Sequence, residues 1–261
     1  MRSRRLFLRL SLAALAASAA AARRAGPTRA SSPHLTYLPL ARSEPLTPQS
    51  PPGLPPPRVV EGAIVAPASG TAEQANAWFA PRALGYMPYD VSVIIGRYQQ
   101  LGDWAGVDWF LALAQMAHET GSLTSWWSQR PRRNPAGIGV TGATRPGDPG
   151  VPPGAAWAWD DHDAVWREGV SFATWVDDAV PAHLGRLLAY AVPAGQETPE
   201  QASLITAALG YRGLPAGYRG SAPTVLGLNG RWAVPGDGYG EAILNLARRM
   251  RGAYAGVDGR G

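Results

Sequence analysis

The side chain best placed for chemistry is Glu119, next to last in a segment, Asp108 to Thr120, that reads as a helix. Asp108 is a suitable N-cap and Gly121 a suitable stop. On a helix advancing about 100° per residue, Trp109, Ala112, Met116 and Glu119 fall within about 80° of one another, and His118 lies on the other side. A carboxylate on an apolar face is costly unless it is paired or protonated. Burial and the negative end of the helix dipole both raise its pKa. An acid that keeps its proton near neutrality can protonate a leaving-group oxygen, as glycoside cleavage requires. The competing reading is a structural carboxylate, paired with Arg130, Arg132 or Arg133 or released to solvent at a frayed helix end.

A second carboxylate would act as base or nucleophile. Asp160, Asp161, Asp163, Glu168, Asp177 and Asp178 are the candidates, and spacing does not choose among them. Acids crowded at 160–163 suit a solvated turn, so Glu168, just before an expected strand, is the first choice. A substrate acetamido group acting as nucleophile would remove the need for any second acid. Trp126, Trp127, Trp157, Trp159, Trp166 and Trp175 are many for one region, and aromatic faces serve either a sugar groove or a core. Trp126 and Trp127, directly after Glu119, are the expected groove residues. His118-Glu119 begins like a zinc-binding His-Glu-x-x-His, but position 122 is Ser. The chain has no Cys and no Gly-x-Ser-x-Gly, which removes thiol nucleophiles and the serine-hydrolase elbow. No metal and no cofactor is called for.

These residues need a helical scaffold. Thr71 to Gln74 opens a helix running through Trp78 and Phe79, Val91 to Leu101 has helical spacing, and Gln201 to Leu209 and Gly240 to Arg251 supply two more. Thr174 to Tyr190 is helical, with Pro181 either kinking it or marking its first turn. Between them, Ser122 to Gly154 reads as a long loop, a length that implies function, and Ala156 to Phe172 as short strands. The expected class is α+β, mostly helical, with a small β or irregular lobe.

The charge of +5 is uneven. Six of the 24 basic residues, all Arg, lie in the first 24 positions, which hold no acid; the remainder carries 18 basic against 19 acidic residues, a net of −1. That excludes an electrostatic footprint for nucleic acid. Residues 1–24 read as a signal peptide, and Ser3-Arg4-Arg5-Leu6-Phe7-Leu8-Arg9 resembles a twin-arginine export motif. Residues 25–69, with Pro48, Pro51, Pro52, Pro55 and Pro56, read as a Pro-rich spacer, and residues 70–255 as the folded domain. The expectation is a secreted or envelope protein, monomeric, with no membrane contact beyond a cleaved leader.

Ala114-Gln115-Met116-Ala117-His118-Glu119-Thr120-Gly121, followed by Asn134-Pro135-Ala136-Gly137-Ile138-Gly139, resembles the glucosaminidase domain family, grouped with glycoside hydrolase family 73. The likeness continues in Gly169 to Tyr190, with its Ala182-His183 pair, and in Trp232-Ala233-Val234-Pro235-Gly236-Asp237-Gly238-Tyr239. The resemblance implies a lysozyme-like α+β domain that cleaves peptidoglycan glycan strands as an endo-β-N-acetylglucosaminidase, with Glu119 as general acid. It also implies substrate contacts from Gln115, Asn134, Gly137, Trp232 and Tyr239. Trp232 stands where the family has a tyrosine, which keeps a stacking surface and loses a hydroxyl. The alternatives are a lytic transglycosylase on the same glycan, a zinc amidase or peptidase of the wall, and a non-catalytic glycan-binding module.

Overall fold

The computed structural model describes residues 60–253. The expected leader, and the spacer up to residue 59, lie outside the described residues. The rest of the expected spacer is part of the folded body. Ile64 is buried, its N–H donates to Pro223 O (3.0 Å) and its carbonyl accepts from Asp108 N–H (2.9 Å). Ala63 and Val65 form single bridges to Thr224 and Val107. The folded body therefore includes residues 60–69, where the proline-rich composition had suggested spacer.

The architecture is mostly helical α+β. Among the described residues, six α-helices run in the order α1 (Ala72–Phe79), α2 (Pro88–Ala105), α3 (Trp109–Thr120), α4 (Val180–Ala191), α5 (Pro199–Tyr211) and α6 (Tyr239–Ala253). A small sheet lies between α3 and α4 in sequence: β1 (Thr144–Arg145), β2 (Trp157–Asp160) and β3 (Val165–Glu168), in antiparallel order β1-β3-β2. Trp159 pairs with Trp166 across β2 and β3, and β1 falls inside the expected loop. Pro181 lies in the first turn of α4, directly after a π-helical turn over Trp175–Ala179.

Local signals explain the helix starts. Thr71 and Gln74 form a reciprocal capping box on α1, and the Asp108 carboxylate accepts from Phe110 and Leu111 N–H (3.1 Å each) to open α3. Helix α3 packs against α2, α4 and α6. Every residue from Trp109 to Ala117 is buried, so this helix has no solvent face over most of its length. Helical spacing had suggested one apolar stripe; the structure has apolar contact all round, as suits a central helix. Only His118 and Glu119, in the last turn, reach toward solvent. At about 1.5–3 kcal/mol for each large side chain buried, α3 is an axis on which α2, α4 and α6 are held. No helix among the described residues is long and apolar enough to cross a membrane.

Candidate active site

Glu119 emerges where α3 ends, half-buried between α6 and the loop that follows. Burial pushes its carboxyl above the ordinary glutamate range; hydrogen bonding from the Tyr239 hydroxyl and a weaker pull from the Trp232 indole draw it part of the way back. The Tyr239 hydroxyl donates to Glu119 Oε1. Glu119 Oε2 lies beside Gly137, 3.5 Å from where a Cβ on that residue would stand. Gly137 has φ of 61°, a backbone conformation that favours glycine.

Behind Glu119 runs a buried chain of hydrogen bonds. Gln115 Nε2 donates to the Tyr239 oxygen (2.7 Å), and Gln115 Oε1 lies 2.9 Å from His183 Nε2. His183 Nδ1 in turn lies 2.7 Å from the Tyr98 hydroxyl. Burial depresses the His183 pKa to about 3, so its ring is neutral. An amide oxygen only accepts, so Nε2 carries the ring proton and Nδ1 accepts from Tyr98. The polarity is then continuous: Tyr98 donates to His183, His183 to Gln115, Gln115 to Tyr239, and Tyr239 to Glu119. Tyr98, Gln115, His183 and Tyr239 come from α2, α3, α4 and α6, so four helices meet at one carboxylate.

This geometry changes the parts assigned to several residues. Gln115 is 1% exposed and Tyr239 is buried, so they act on Glu119 from behind, where the family likeness implied substrate contact. Asn134 is 0% exposed and fully engaged. Its amide donates to Ile138 O and Val170 O and accepts from Ala136 and Ile138 N–H, at 2.9 to 3.2 Å. It is the internal knot of the Asn-Pro-Ala-Gly-Ile-Gly loop, and no face of it remains for a substrate. Gly137 does face the groove. His118, across the helix from the expected face, rests edge-on against the Tyr239 ring at 5.4 Å.

The groove is a cavity of about 610 Å³ lined by Gly137, Thr141, Arg186, Tyr190, Arg212, Leu214, Arg231 and Trp232, among others. Trp126 and Trp127 are not among its lining residues. Trp126 lines a separate hollow with Arg132, Trp159 and Asp161, stacked under the Arg132 guanidinium at 3.6 Å. Trp127 packs against Gly169, where an added Cβ would come within 2.4 Å of the indole. Glu168 is tied to two groove residues: it accepts from Thr141 Oγ1 (2.6 Å) and lies 3.9 Å from Arg212 Nη1. Asp160 and Asp163 pair with Arg167, and Asp178 accepts from Thr174 N–H and the Tyr211 hydroxyl, so these three have structural duties.

Tyr98, Arg186, Tyr190, Arg212 and Arg231 had no place among the sequence candidates. Their neighbours around Glu119 are scattered along the chain, and no local motif marks them. Among the described residues no three His, Cys, Asp or Glu side chains gather as a metal site would require. Comparison with family models, with curated proteins and with solved structures finds no match to this chain.

Proposed function

We propose that the chain is a glycoside hydrolase that cleaves the glycan strand of peptidoglycan as an endo-β-N-acetylglucosaminidase, with Glu119 as general acid. The observation that carries this is the state of Glu119: burial favours its protonated form, one oxygen is held by Tyr239, and the carboxyl adjoins Gly137 and Trp232, two residues that line a groove. That is the arrangement a general acid needs to protonate a glycosidic oxygen. The motif order and the mostly helical α+β architecture support a lysozyme-like domain. Trp232, partly exposed and lining the groove, supplies a face for sugar stacking. The leader-like first 24 residues support export to the envelope, where that substrate lies. Glu168, at the same groove, is the first candidate for the second carboxylate.

A lytic transglycosylase uses a single carboxyl, which gives its proton to the leaving oxygen and then takes one from the sugar hydroxyl that closes the anhydro ring, so it needs no second carboxylate, and Glu168 is already engaged by Thr141. Digestion of purified wall separates the two activities, because an anhydro product is lighter by one water. The decisive variant is Glu119→Gln assayed on peptidoglycan. Turnover is expected to fall by about 10²- to 10⁴-fold, the usual range for a positioned acid, with binding retained. Full activity would overturn the reading. The raised pKa adds a second readout. A carboxyl whose folded pKa is raised supports the fold while protonated and loses that support as pH rises through its folded value. Glu119→Gln cannot ionise, so its melting temperature should exceed the parent's by a margin that widens with pH.

A further inference from the structure

Each member of the buried row behind Glu119 can aim its hydrogen in either of two directions. Burial keeps the Tyr98 and Tyr239 hydroxyls well above the ordinary tyrosine range, so each has one hydrogen to give. Neutral His183 carries one ring hydrogen, and the Gln115 amide presents either its NH₂ or its oxygen to a given neighbour. The separations are 2.7 Å from Tyr98 to His183, 2.9 Å from His183 to Gln115 and 2.7 Å from Gln115 to Tyr239, and they suit both directions equally. The forward direction runs from Tyr98 to Glu119. In the reverse one a protonated Glu119 gives to Tyr239, Tyr239 to Gln115, Gln115 to His183 Nε2, and His183 Nδ1–H to Tyr98. The Tyr98 hydrogen then has another acceptor within reach, the Met116 sulfur at 3.7 Å. With Glu119 protonated, both directions join the same groups and hold the same number of hydrogens.

The two directions differ at their ends. At the far end, Tyr98 gives its hydrogen to an imidazole nitrogen in the forward direction and to a thioether, a weak acceptor, in the reverse one. That difference favours the forward direction. At the near end, the forward direction points the Tyr239 hydrogen at Glu119 Oε1. A proton on Oε1 facing Tyr239 would meet that hydrogen head-on. The acid proton therefore belongs on Oε2, the oxygen beside Gly137 in the groove wall. In the reverse direction the acid proton sits on Oε1 and is held by Tyr239, a buried side chain that keeps it from a ligand. The Trp232 indole also reaches the carboxyl, but it only donates and offers the proton no second resting place. Tyr98 and His183 are both 0% exposed and neither lines the groove, so any part they play in the reaction passes through the row.

We infer that His183, held as its Nε2–H tautomer by the Tyr98 hydroxyl, is a positioning residue that keeps the acid proton of Glu119 on Oε2. The inference rests on the proposed function and adds what aims the acid. Tyr98 acts three residues away from the carboxyl, by choosing His183 over Met116 as its acceptor.

The test reads the His183 ring nitrogens by NMR, in the full chain with its histidine rings labelled with nitrogen-15. His183 is recognised as the ring that stays neutral between about pH 5 and 8 and keeps its hydrogen from exchange with water. The expected pattern is a hydrogen-bearing Nε2 and a bare Nδ1. Tyr98→Phe should draw the two nitrogen shifts toward each other, as a mixture of tautomers does. It should also lower kcat on wall glycan by about 3- to 10-fold, the worth of one hydrogen bond, with KM changed less than about twofold. Met116→Leu, a swap of similar volume, should leave both shifts where they are, because the sulfur takes no part in the forward direction. An Nδ1–H ring in the parent would overturn the inference, whether or not Tyr98→Phe folds. So would mixed tautomers in Tyr98→Phe with kcat unchanged, a lowered kcat with the tautomer unchanged, or shifts that move in Met116→Leu. Failure here is distinct from failure of the proposed function. A chain that cuts wall glycan with an Nδ1–H ring keeps that function and loses the positioning role. A chain with the expected tautomers that cuts no glycan keeps the direction of the row and loses the function.

Discussion

Behind Glu119, Tyr239, Gln115, His183 and Tyr98 are all buried and pass hydrogen bonds from one to the next. In front of it, Gly137 presents no side chain and the arginines at 186, 212 and 231 face an open cavity. The rear is matched atom for atom; the front leaves charge unmatched. The contrast separates residues that set the state of the acid from residues that meet the ligand, two groups that were mixed when only the sequence was considered. A buried polar group without a partner costs about 1–3 kcal/mol, so the rear tolerates no omission. An open guanidinium keeps much of its hydration, so the front is free to wait for a ligand.

Three substitutions would break or sharpen this contrast. The largest effect is expected from Tyr239→Phe. The Tyr239 hydroxyl donates to the ionised carboxyl and so holds the Glu119 pKa below what burial alone would set. Its loss should move the alkaline limb of kcat/KM to higher pH. It should also lower kcat at the optimum by about 10- to 100-fold, since a hydrogen bond to a charged group is worth about 1.5–3 kcal/mol. A limb that stayed in place would show that the rear wall does not govern the acid. Next comes Gln115→Met, which leaves the His183 Nε2–H without its acceptor and the Tyr239 oxygen without its donor. A stability loss of about 2–4 kcal/mol in urea unfolding is expected, with KM little changed; a KM effect larger than the kcat effect would move Gln115 to the front. The smallest change belongs to Trp126→Ala. It removes a stack on Arg132 worth about 0.5–1 kcal/mol and should alter kcat/KM less than twofold. A tenfold loss would extend the glycan path into the hollow at Trp159.

The sequence carried the local half of this picture. Asp108, Gly121 and the Thr71–Gln74 pair mark helix ends through bonds spanning a few residues, and each lies where its chemistry put it. Glu119 was conspicuous for the same reason, as an acid closing an apolar helix. Asn134 shows where such inspection stops. A polar residue in a glycine-rich loop looks available to a ligand, and only its four internal hydrogen bonds reveal that the loop is wound around it. Tyr98 and His183 meet across 85 positions, and His183 meets Gln115 across 68. No window along the chain contains those pairs. The tryptophans were misleading in a related way. Trp126 and Trp232 each adjoin an arginine, yet Arg132 is faced by Asp160 and Asp161 and Arg186 by no acid within 4 Å among the described residues. Aromatic content alone did not tell the two hollows apart; the balance of charge around each did.

Tyr239 is the first residue of α6, 120 positions beyond the carboxylate it touches. A ribosome builds α3 long before α6, so the acid passes through a period in which its helix is formed and its rear wall is open. During that interval Glu119 lacks the donor that orients it, and Gln115 lacks one of its two partners. Competence therefore arrives late, with the docking of the final helix, and departs first if that helix is clipped or displaced. The state of the acid is thus set by the last helix of the described chain, not by the helix that carries it.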